Sequence, residues 1–538
     1  MHRRERAPRR NASLLFLLLF FLLIPVFGQA AKIEEVILPN GLKVILLEEH
    51  KAPVVTFQVW YKVGSRNEIT GKTGLSHLLE HMMFKGTPKY GKGEFSRIVA
   101  KNGGTENAFT GNDYTAYFEN FASDRIELSL ELESDRMQNL TIDPKEFQLE
   151  AEVVKEERRT RTDDDPYSFL IEQLYAIAFL VHPYHAPVIG WMSDIDHLTR
   201  DDAFDYYKRY YQPNNATIVV VGDFDTKALL PKIKTAFEKI PKGPEPPKYI
   251  PPEPPQLGER RTVVKREAQL PFVFTTFHTP NYKSPDTYAL TVLANILSSG
   301  KSSRLYRGLV YQQQIALDAG GHYDGLTADP ELFYVYATAR PQVSPEEIEE
   351  ALTDEISRLQ TEPVSNQELQ KAKNQIEAEF ILGSDSNFYR AMRIGTAETV
   401  GAGHEYVTRF VDNIRKVTAQ DVLRVARKYL VEDQRSVGTL LPLPREKRPK
   451  RRKAPLPMNL QRSLDELFRK TGPLSGASCS FDPPSFSRFH FHIGRPRFRR
   501  GDQTKAAGFG KWDHPFDPGA PFPPDRQRRG ADSGRLPL

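Results

Sequence analysis

Two histidines and a glutamate lie close together in residues 74–87. His77 and His81 are four residues apart, so on an α-helix their imidazoles project from one face, one turn apart. Glu80 directly precedes the second histidine. The order His-x-x-Glu-His is the reversed form of a zinc-hydrolase motif, in which two neutral imidazoles bind Zn²⁺ and the carboxylate is the general base. The spacing therefore predicts a metal site on a helix, with Glu80 as its base.

The motif residues alone do not distinguish a metal site from a surface helix that carries two histidines and an acid. The flanking sequence favours a helix with a buried face, formed by Leu75, Leu78, Leu79 and Met82. Gly74 precedes this helix, and a lysine, a glycine and a proline at positions 85, 86 and 88 end it. These signals favour the metal site.

A catalytic zinc site normally has three protein ligands, so the motif needs one more. Residues 147–159 have helical character, and Glu150 and Glu157 within them are seven apart, which places both on one face. Glu157 lies 76 positions after His81. Its neighbour Glu156 is about 100° around the helix and does not align with Glu150. We therefore expect Glu157 to be the third ligand. We interpret the other charged groups as a solvated face: Glu152, Glu156 and Arg158.

With these residues in place, the sequence resembles the pitrilysin-type metallopeptidases, which include insulin-degrading enzyme and the mitochondrial processing peptidase. That family carries the reversed motif, a distal glutamate at nearly this separation, and another glutamate seven residues before it. The resemblance implies that His77, His81 and Glu157 hold one zinc ion per chain. It also implies that Glu80 is the general base and that Glu150 assists catalysis as a carboxylate behind the ligands.

The resemblance further implies an α+β fold with two homologous domains, each a mixed sheet with packed helices, that form half of a clamshell. The chain indeed repeats itself, because Thr199 and Asp202 recur as Thr418 and Asp421, shifted by 219. A constant shift over a helix-then-strand unit predicts a duplicated domain. Residues 263–444 contain no histidine pair of the motif spacing, so only the first domain is expected to hold metal.

A proline-rich stretch separates the two repeats, since residues 241–256 hold eight prolines, which stiffen and extend a chain. After residue 444 the chain is rich in Pro, Gly and Arg without apolar periodicity, which is typical of disorder. We predict a signal peptide at 1–30, a zinc-bearing domain at 31–240, a linker at 241–262, a second homologous domain at 263–444 and a disordered basic tail at 445–538.

The first 30 residues have the pattern of an export signal. Five arginines precede an apolar run at 14–27, and Gly28-Gln29-Ala30 follows. This order is that of a secretory signal peptide, and the run is shorter than the about 20 residues of a membrane-spanning helix. We expect export to the periplasm or to a membrane surface. An uncleaved signal anchor and a mitochondrial transit peptide are the alternatives.

Cysteine content and charge exclude several classes of function. Cys479 is the only cysteine of the sequence, so no second thiol is available for a disulfide, a dithiol redox pair or a cysteine zinc cluster. The net charge of +5 is uneven, because residues 1–30 carry +4, residues 445–538 carry +12 and residues 31–444 carry −11. An acidic body argues against nucleic-acid binding by the catalytic part. The basic tail could touch an anionic surface, or be a non-functional extension.

Residues 102–111 have the composition of a strand that another chain can approach. Glycines bracket short side chains, and an alternating segment at 114–121 predicts a second strand. In the family that this sequence resembles, the matching Asn-Ala-Phe-Thr strand pairs with the substrate backbone, a form of β-augmentation. The resemblance therefore assigns peptide docking to Asn107, Ala108 and Phe109. An ordinary edge strand followed by a turn is the alternative.

One part of the family pattern is missing. Single-chain and homodimeric members carry, in the second domain, an arginine and a tyrosine seven residues later that contact the substrate carbonyl. Residues 302–306 set the alignment with the family, and this alignment places Val310 at the position of the arginine and Leu317 at that of the tyrosine. Neither side chain can donate a hydrogen bond to an oxyanion. We expect a homologous partner subunit to supply the Arg/Tyr pair. The alternative is another polar group of this chain: Tyr311, Gln314 or Tyr323.

The motif and the resemblance together predict a zinc endopeptidase that hydrolyses extended peptides as the zinc-bearing subunit of a split-site heterodimer. The alternative, from a different class, is a non-catalytic assembly subunit of the same family. Subunits of that kind typically lose the metal motif, whereas this sequence keeps all of it.

Overall fold

The computed structural model describes residues 33–444, so the predicted signal peptide at 1–30 and the predicted tail at 445–538 lie outside the described residues. The strands of this part are β1 Glu34–Ile37, β2 Lys43–Glu48, β3 Val54–Tyr61, β4 Thr105–Thr110, β5 Thr115–Ala122, β6 Ala216–Gly222, β7 Arg260–Glu267, β8 Phe272–Thr279, β9 Ala316–His322, β10 Glu331–Ala339 and β11 Arg435–Leu443. The helices are α1 Leu75–Met82, α2 Glu94–Lys101, α3 Glu127–Asn139, α4 Pro144–Arg158, α5 Pro166–Ala178, α6 Met192–Ile195, α7 Arg200–Tyr210, α8 Thr226–Phe237, α9 Asp286–Ser298, α10 Pro345–Thr361, α11 Asn366–Gly383, α12 Asn387–Val400, α13 His404–Lys416 and α14 Ala419–Tyr429. Every helix within residues 33–444 is too short or too polar to cross a membrane.

The strands form two mixed sheets with the same internal order. The first sheet runs β1-β2-β6-β3-β5-β4, and the second runs β7-β11-β8-β10-β9. In each sheet a parallel pair, β2 with β6 or β7 with β11, is followed by three antiparallel pairs. The strands match one for one, apart from the added hairpin strand β1. This match confirms the predicted α+β fold with two homologous mixed-sheet units.

The repeated sequence unit has a repeated structure. Thr199 caps α7 and Thr418 caps α14, and each forms a capping box with the aspartate three residues later, Asp202 or Asp421. Such boxes satisfy N–H groups that a helix start leaves unpaired. Each helix leads into the strand, β6 or β11, that pairs in parallel with its neighbour. The shift of 219 residues therefore relates two equivalent helix starts.

Each sheet is covered on one face by a helix from the other half of the chain. Helix α12, from the second half, packs on the first sheet, where Ala391 joins Trp60 in one buried cluster. Helix α5, from the first half, packs on the second sheet, where Leu170 and Leu174 join Phe274. The two halves are thus interlocked by exchanged helices, and the predicted domain boundaries at 240 and 263 stay a prediction.

The proline-rich linker is tied to the body at its C-terminal end. Residues 241–256 contain no helix or strand. The carboxylate of Glu253 accepts hydrogen bonds from the N–H groups of Leu180 and Val181, each at 2.9 Å. The amide of Gln256 donates to the carbonyl of Arg435 at 2.7 Å. These bonds fix the end of the linker against residues from both halves.

Replacing Gly395 with valine tests the helix exchange. A Cβ atom at this position of α12 would lie 2.1 Å from Cε2 of Trp60, which is fully buried in the first sheet. We expect Gly395→Val to lower the free energy of unfolding by about 1–3 kcal/mol through overpacking, measured by urea denaturation. Gly91→Val is the matched control, since a Cβ there meets nothing within 4 Å. A midpoint for Gly395→Val at or above that of the wild type would contradict the packing.

Candidate metal centre

Helix α1 presents its two histidines because its start and its apolar face are both fixed. Gly74 precedes it in the left-handed conformation, with φ 85°. The carboxylate of Glu68 accepts hydrogen bonds from the N–H groups of Gly74 at 2.8 Å and Ser76 at 2.6 Å, which the helix start would otherwise leave unpaired. Burial raises the pKa of Glu68 to about 8, although these hydrogen bonds oppose the shift. Leu78 and Leu79 are fully buried in the core, so the histidines lie on the other side of the helix.

Helix α4 brings two glutamates beside α1. Asp143 accepts hydrogen bonds from two backbone N–H groups of the first turn, and Pro144 occupies the first helical position. Both features favour a helix start. The buried residues Phe147, Ala151 and Val154 pack into the same core as α1. The glutamates at 150 and 157 are therefore held next to the histidines.

The imidazoles of His77 and His81 converge on the carboxylate of Glu157. Nε2 of His77 lies 3.8 Å from Oε1 of Glu157, and Nε2 of His81 lies 3.5 Å from Oε2. One ligand atom from each residue lies within 4.8 Å of the others. Donor atoms bound to one tetrahedral Zn²⁺ at about 2.0–2.2 Å are about 3.3–3.6 Å apart, so the three side chains fit a single zinc ion.

The pKa of His77 shifts in the direction that a metal ligand needs, whereas the pKa of His81 shifts in the opposite direction. Burial lowers the pKa of His77 well below its usual value, and the nearby charges of His81 and Arg161 add to this effect, so the ring is neutral. Burial acts in the same direction on His81, but its hydrogen bond with Glu150 and the neighbouring carboxylates raise its pKa on balance. Burial raises the pKa of Glu80 above the usual range of a carboxyl, which is the direction that strengthens a general base.

Glu80, the predicted general base, is held by a residue that the sequence analysis did not assign. The hydroxyl of Thr110, the last residue of β4, donates a hydrogen bond to Oε2 of Glu80. This contact joins the predicted peptide-docking strand to the motif helix. Thr110 directly follows the Asn-Ala-Phe segment in the sequence, and this position is the signal that could have identified it.

Two cations that the sequence analysis did not assign support the glutamates. Nζ of Lys85 pairs with Glu150, and Glu150 bonds Nδ1 of His81 at 3.1 Å. The guanidinium of Arg161 pairs with Oε1 of Glu157. The spacing of four residues between Glu157 and Arg161 is a helical signal for the second contact. A cationic side chain of the protein therefore neutralises each of the two carboxylates, Glu150 and Glu157.

The interpretation of Arg158 as solvent-facing is wrong. Its side chain is 4% exposed and forms two bonds to the carboxylate of Glu172, at 2.8 and 2.9 Å. A third bond, of 2.7 Å, goes to the carbonyl of Gly190. A buried arginine requires a buried anion, and Glu172 lies on the next helix, beyond the reach of helical periodicity. Glu152 and Glu156 are exposed, as predicted.

The predicted docking residues lie on an edge strand beside the metal centre. Asn107, Ala108 and Phe109 belong to β4, which ends the first sheet and has β5 as its one strand neighbour among the described residues. The ring of Phe109 packs edge-on against Trp60, with centroids 5.4 Å apart. The strand therefore offers one backbone edge near Glu80, and the role of the three residues stays a prediction.

The second half has apolar side chains at the two positions where the resemblance predicts an arginine and a tyrosine. Val310 packs against the core of the second sheet, and Leu317 is half exposed on the edge strand β9. Of the alternative groups, Tyr323 is buried and its hydroxyl bonds Thr287 at 3.0 Å, whereas Tyr311 is 74% exposed. Gln314 is one of two non-glycine residues with positive φ in the described part of the chain.

A second cluster of possible metal ligands already contains a cation. Glu35, Glu398 and His404 also bring three ligand atoms together. Nζ of Lys43 lies 2.8 Å from Glu398 and 3.4 Å from Glu35, and Nδ1 of His404 lies 3.0 Å from Glu398. The ammonium group balances the carboxylates, so this cluster links β1 and β2 to the helices of the second half as an ion-pair network.

The sequence matches known families and proteins over most of the described range. Residues 43–190 match the insulinase model of peptidase family M16, and residues 197–376 match the peptidase M16 inactive domain. Zinc protease PqqE of Helicobacter pylori is 35% identical over 420 residues, which cover 76% of this chain and 93% of that protein. An uncharacterized zinc protease of Mycobacterium tuberculosis is 29% identical over 410 residues, which cover 73% of this chain and 90% of that protein.

Solved structures share the fold. A protease from Helicobacter pylori has a TM-score of 0.74 and 34% identity, over 77% of this chain and all of that chain. A peptidase M16 inactive domain from Pseudomonas fluorescens has a TM-score of 0.70 at 17% identity, over 77% of this chain and 98% of that chain, which shows the fold alone. The chain belongs to peptidase family M16, the insulinase and pitrilysin-like metallopeptidases. The predicted resemblance is confirmed.

Glu157→Ala should abolish stoichiometric zinc binding, because two imidazoles remain where a zinc site needs three protein ligands. The measurement is metal analysis of the purified, dialysed chain. Glu156→Ala is the matched control, since the side chain of Glu156 is 70% exposed and lies one position away. Full zinc occupancy in Glu157→Ala would contradict the third-ligand assignment.

Proposed function

We propose that this protein is a zinc-dependent endopeptidase that hydrolyses extended peptides. The observation that carries the proposal is the convergence of two imidazoles and one carboxylate, His77, His81 and Glu157, within 4.8 Å of one another. Membership in peptidase family M16 and relatives named zinc proteases support it.

Each member of the centre has a separate task in this proposal. The three ligands hold one Zn²⁺, which supplies Lewis-acid chemistry that polarises a carbonyl and makes water nucleophilic at neutral pH. Glu80 accepts the proton of the attacking water and returns it to the leaving amine. Its hydrogen bond from Thr110 occupies one carboxylate oxygen and leaves the other for this proton. Glu150 holds His81 through Nδ1 and so fixes which ring nitrogen faces the metal.

We propose that the substrate adds a strand to the first sheet along β4. The position of β4 at the end of the first sheet supports this, because an extended peptide can pair with an edge strand through main-chain hydrogen bonds. Residues Asn107, Ala108 and Phe109 would then dock the peptide, and Thr110 leads from them to the base. This mode of binding selects unfolded or extended substrates over folded proteins.

We propose that a second M16 chain completes the site. The apolar residues Val310 and Leu317 support this, since neither can donate to the developing oxyanion. The partner would carry an arginine and a tyrosine seven residues apart. The assembly-subunit alternative is disfavoured by the complete ligand set and by the base beside it.

We also propose that the chain is exported to the periplasm or to a membrane surface. The order of arginines, apolar run and small residues in residues 1–30 supports this. Cell fractionation of the full chain and of a chain without these residues tests it, and equal distributions would count against it.

Glu80→Gln should keep the fold and the zinc but lose hydrolysis, because the change removes a base and no ligand. We expect a fall in kcat of at least about 10²-fold, the lower range of general-base contributions. Peptide turnover and zinc content are measured on the same sample. Retained turnover, or loss of zinc together with activity, would contradict the assigned role.

The isolated chain should be a poor peptidase even when loaded with zinc, because it lacks both oxyanion donors. Each such donor typically contributes about 10²–10³ in rate, so a partner that supplies them should raise turnover by at least that factor. The test measures cleavage of an unstructured peptide by the chain, by a candidate partner and by the mixture. Full activity of the chain alone would refute the split site, and Tyr311 and Tyr323 would be the next residues to mutate.

A further inference from the structure

The last residue of α4 is a buried cation next to a metal ligand. Arg158 follows Glu157 directly, and its side chain is 4% exposed. Its guanidinium holds both oxygens of Glu172 on α5 at 2.8 and 2.9 Å. It also donates to the carbonyl of Gly190 at 2.7 Å. One side chain therefore fixes the end of α4 to two other parts of the chain.

The segment around Gly190 is packed directly against the start of the motif helix. A Cβ atom at Gly190 would lie 2.5 Å from Cα of Gly74, and one at Gly74 would lie 2.5 Å from the carbonyl oxygen of Ile189. The N–H of Trp191 donates to the hydroxyl of Thr73 at 2.9 Å. No side chain fits between these two backbones, so their separation is fixed. Arg158 is thereby connected to the N-terminus of α1 through the backbone around Gly190.

A second set of contacts joins α4 to the C-terminal end of α1. Glu150 on α4 bonds His81 at 3.1 Å and pairs with Lys85 just beyond α1. The predicted metal ligands lie between the contacts of Arg158 and the contacts of Glu150. Glu157 directly precedes Arg158 in the sequence. Loss of the Arg158 contacts would leave the C-terminal end of α4 fixed by apolar packing and by the pair between Lys155 and the half-exposed Asp196 at 2.9 Å.

We propose that Arg158 is a positioning residue of the metal centre, which sets the distance from Glu157 to His77 and His81 by tying α4 to the start of α1. The inference rests on the proposed zinc site and adds to it a residue that touches neither metal nor substrate. Groups that orient metal ligands typically contribute about 10–100-fold in metal affinity, which is the effect expected here.

The test compares zinc affinity, by competition with a chelator, with the thermal stability of the metal-free chain. The double variant Arg158→Met/Glu172→Met replaces the ion pair by apolar groups, a change that often leaves stability unaltered. Arg158→Lys keeps the buried charge but loses the planar fork that binds Glu172 and Gly190 together. Arg159→Gln is the matched control, because Arg159 is 49% exposed and pairs with Glu156, which is not a ligand.

We expect the double variant to bind zinc about 10–100-fold more weakly than the wild type, Arg158→Lys to lie between them, and Arg159→Gln to match the wild type. The absorption spectrum of the cobalt-loaded double variant should also change, since it reports the ligand geometry rather than stability. A folded double variant with wild-type zinc affinity would overturn the proposal. If that variant does not fold, wild-type affinity in Arg158→Lys overturns it. A wild-type chain without zinc affinity would refute the metal site itself, which separates the two failures.

Discussion

The contact between α1 and α4 is the constraint on which the metal centre depends. The two helices run in opposite directions, since the start of α1 lies near the end of α4, and His81 lies beside Glu150. Each helix buries an apolar stripe in the core of the first sheet, and the histidines of α1 face Glu150 and Glu157 of α4. Partly buried carboxylates are costly unless they are paired, and here Lys85, Arg161 and the imidazoles provide the partners. The same packing therefore stabilises the fold and assembles the ligands.

The metal centre is built on the first sheet, but residues of the second half of the chain support the elements around it. Helix α12 covers the face of the first sheet that carries Trp60, and Trp60 in turn supports Phe109 of the edge strand β4. Nε of Arg66, in the segment before α1, lies 3.3 Å from a carboxylate oxygen of Asp113 after β4, and the guanidinium pairs with Asp329 of the second half. Both the predicted docking strand and the motif helix are thus braced by the second half, although that half contributes no ligand.

Local sequence signals predicted much of this arrangement. The spacing of four between the histidines and of seven between the glutamates is a helical period, so the shared faces of α1 and α4 followed from the sequence. The repeated Thr and Asp residues marked equivalent capping boxes 219 residues apart. Each of these features is decided by residues close to one another in the chain or by a repeat within it.

The features that the sequence did not reveal depend on distant partners. Arg158 has the local pattern of a solvated helix residue, and only the position of Glu172 on the next helix makes its burial favourable. The exchange of α5 and α12 brings Gly395 against Trp60, a contact between residues that no periodicity relates.

The most direct test of the metal centre is anomalous diffraction at the zinc absorption edge from crystals of the zinc-loaded wild-type chain. We expect one strong peak, bonded to Nε2 of His77, Nε2 of His81 and a carboxylate oxygen of Glu157. A zinc-loaded chain with no peak at these residues, or with its peak at Glu35, Glu398 and His404 instead, would contradict this expectation.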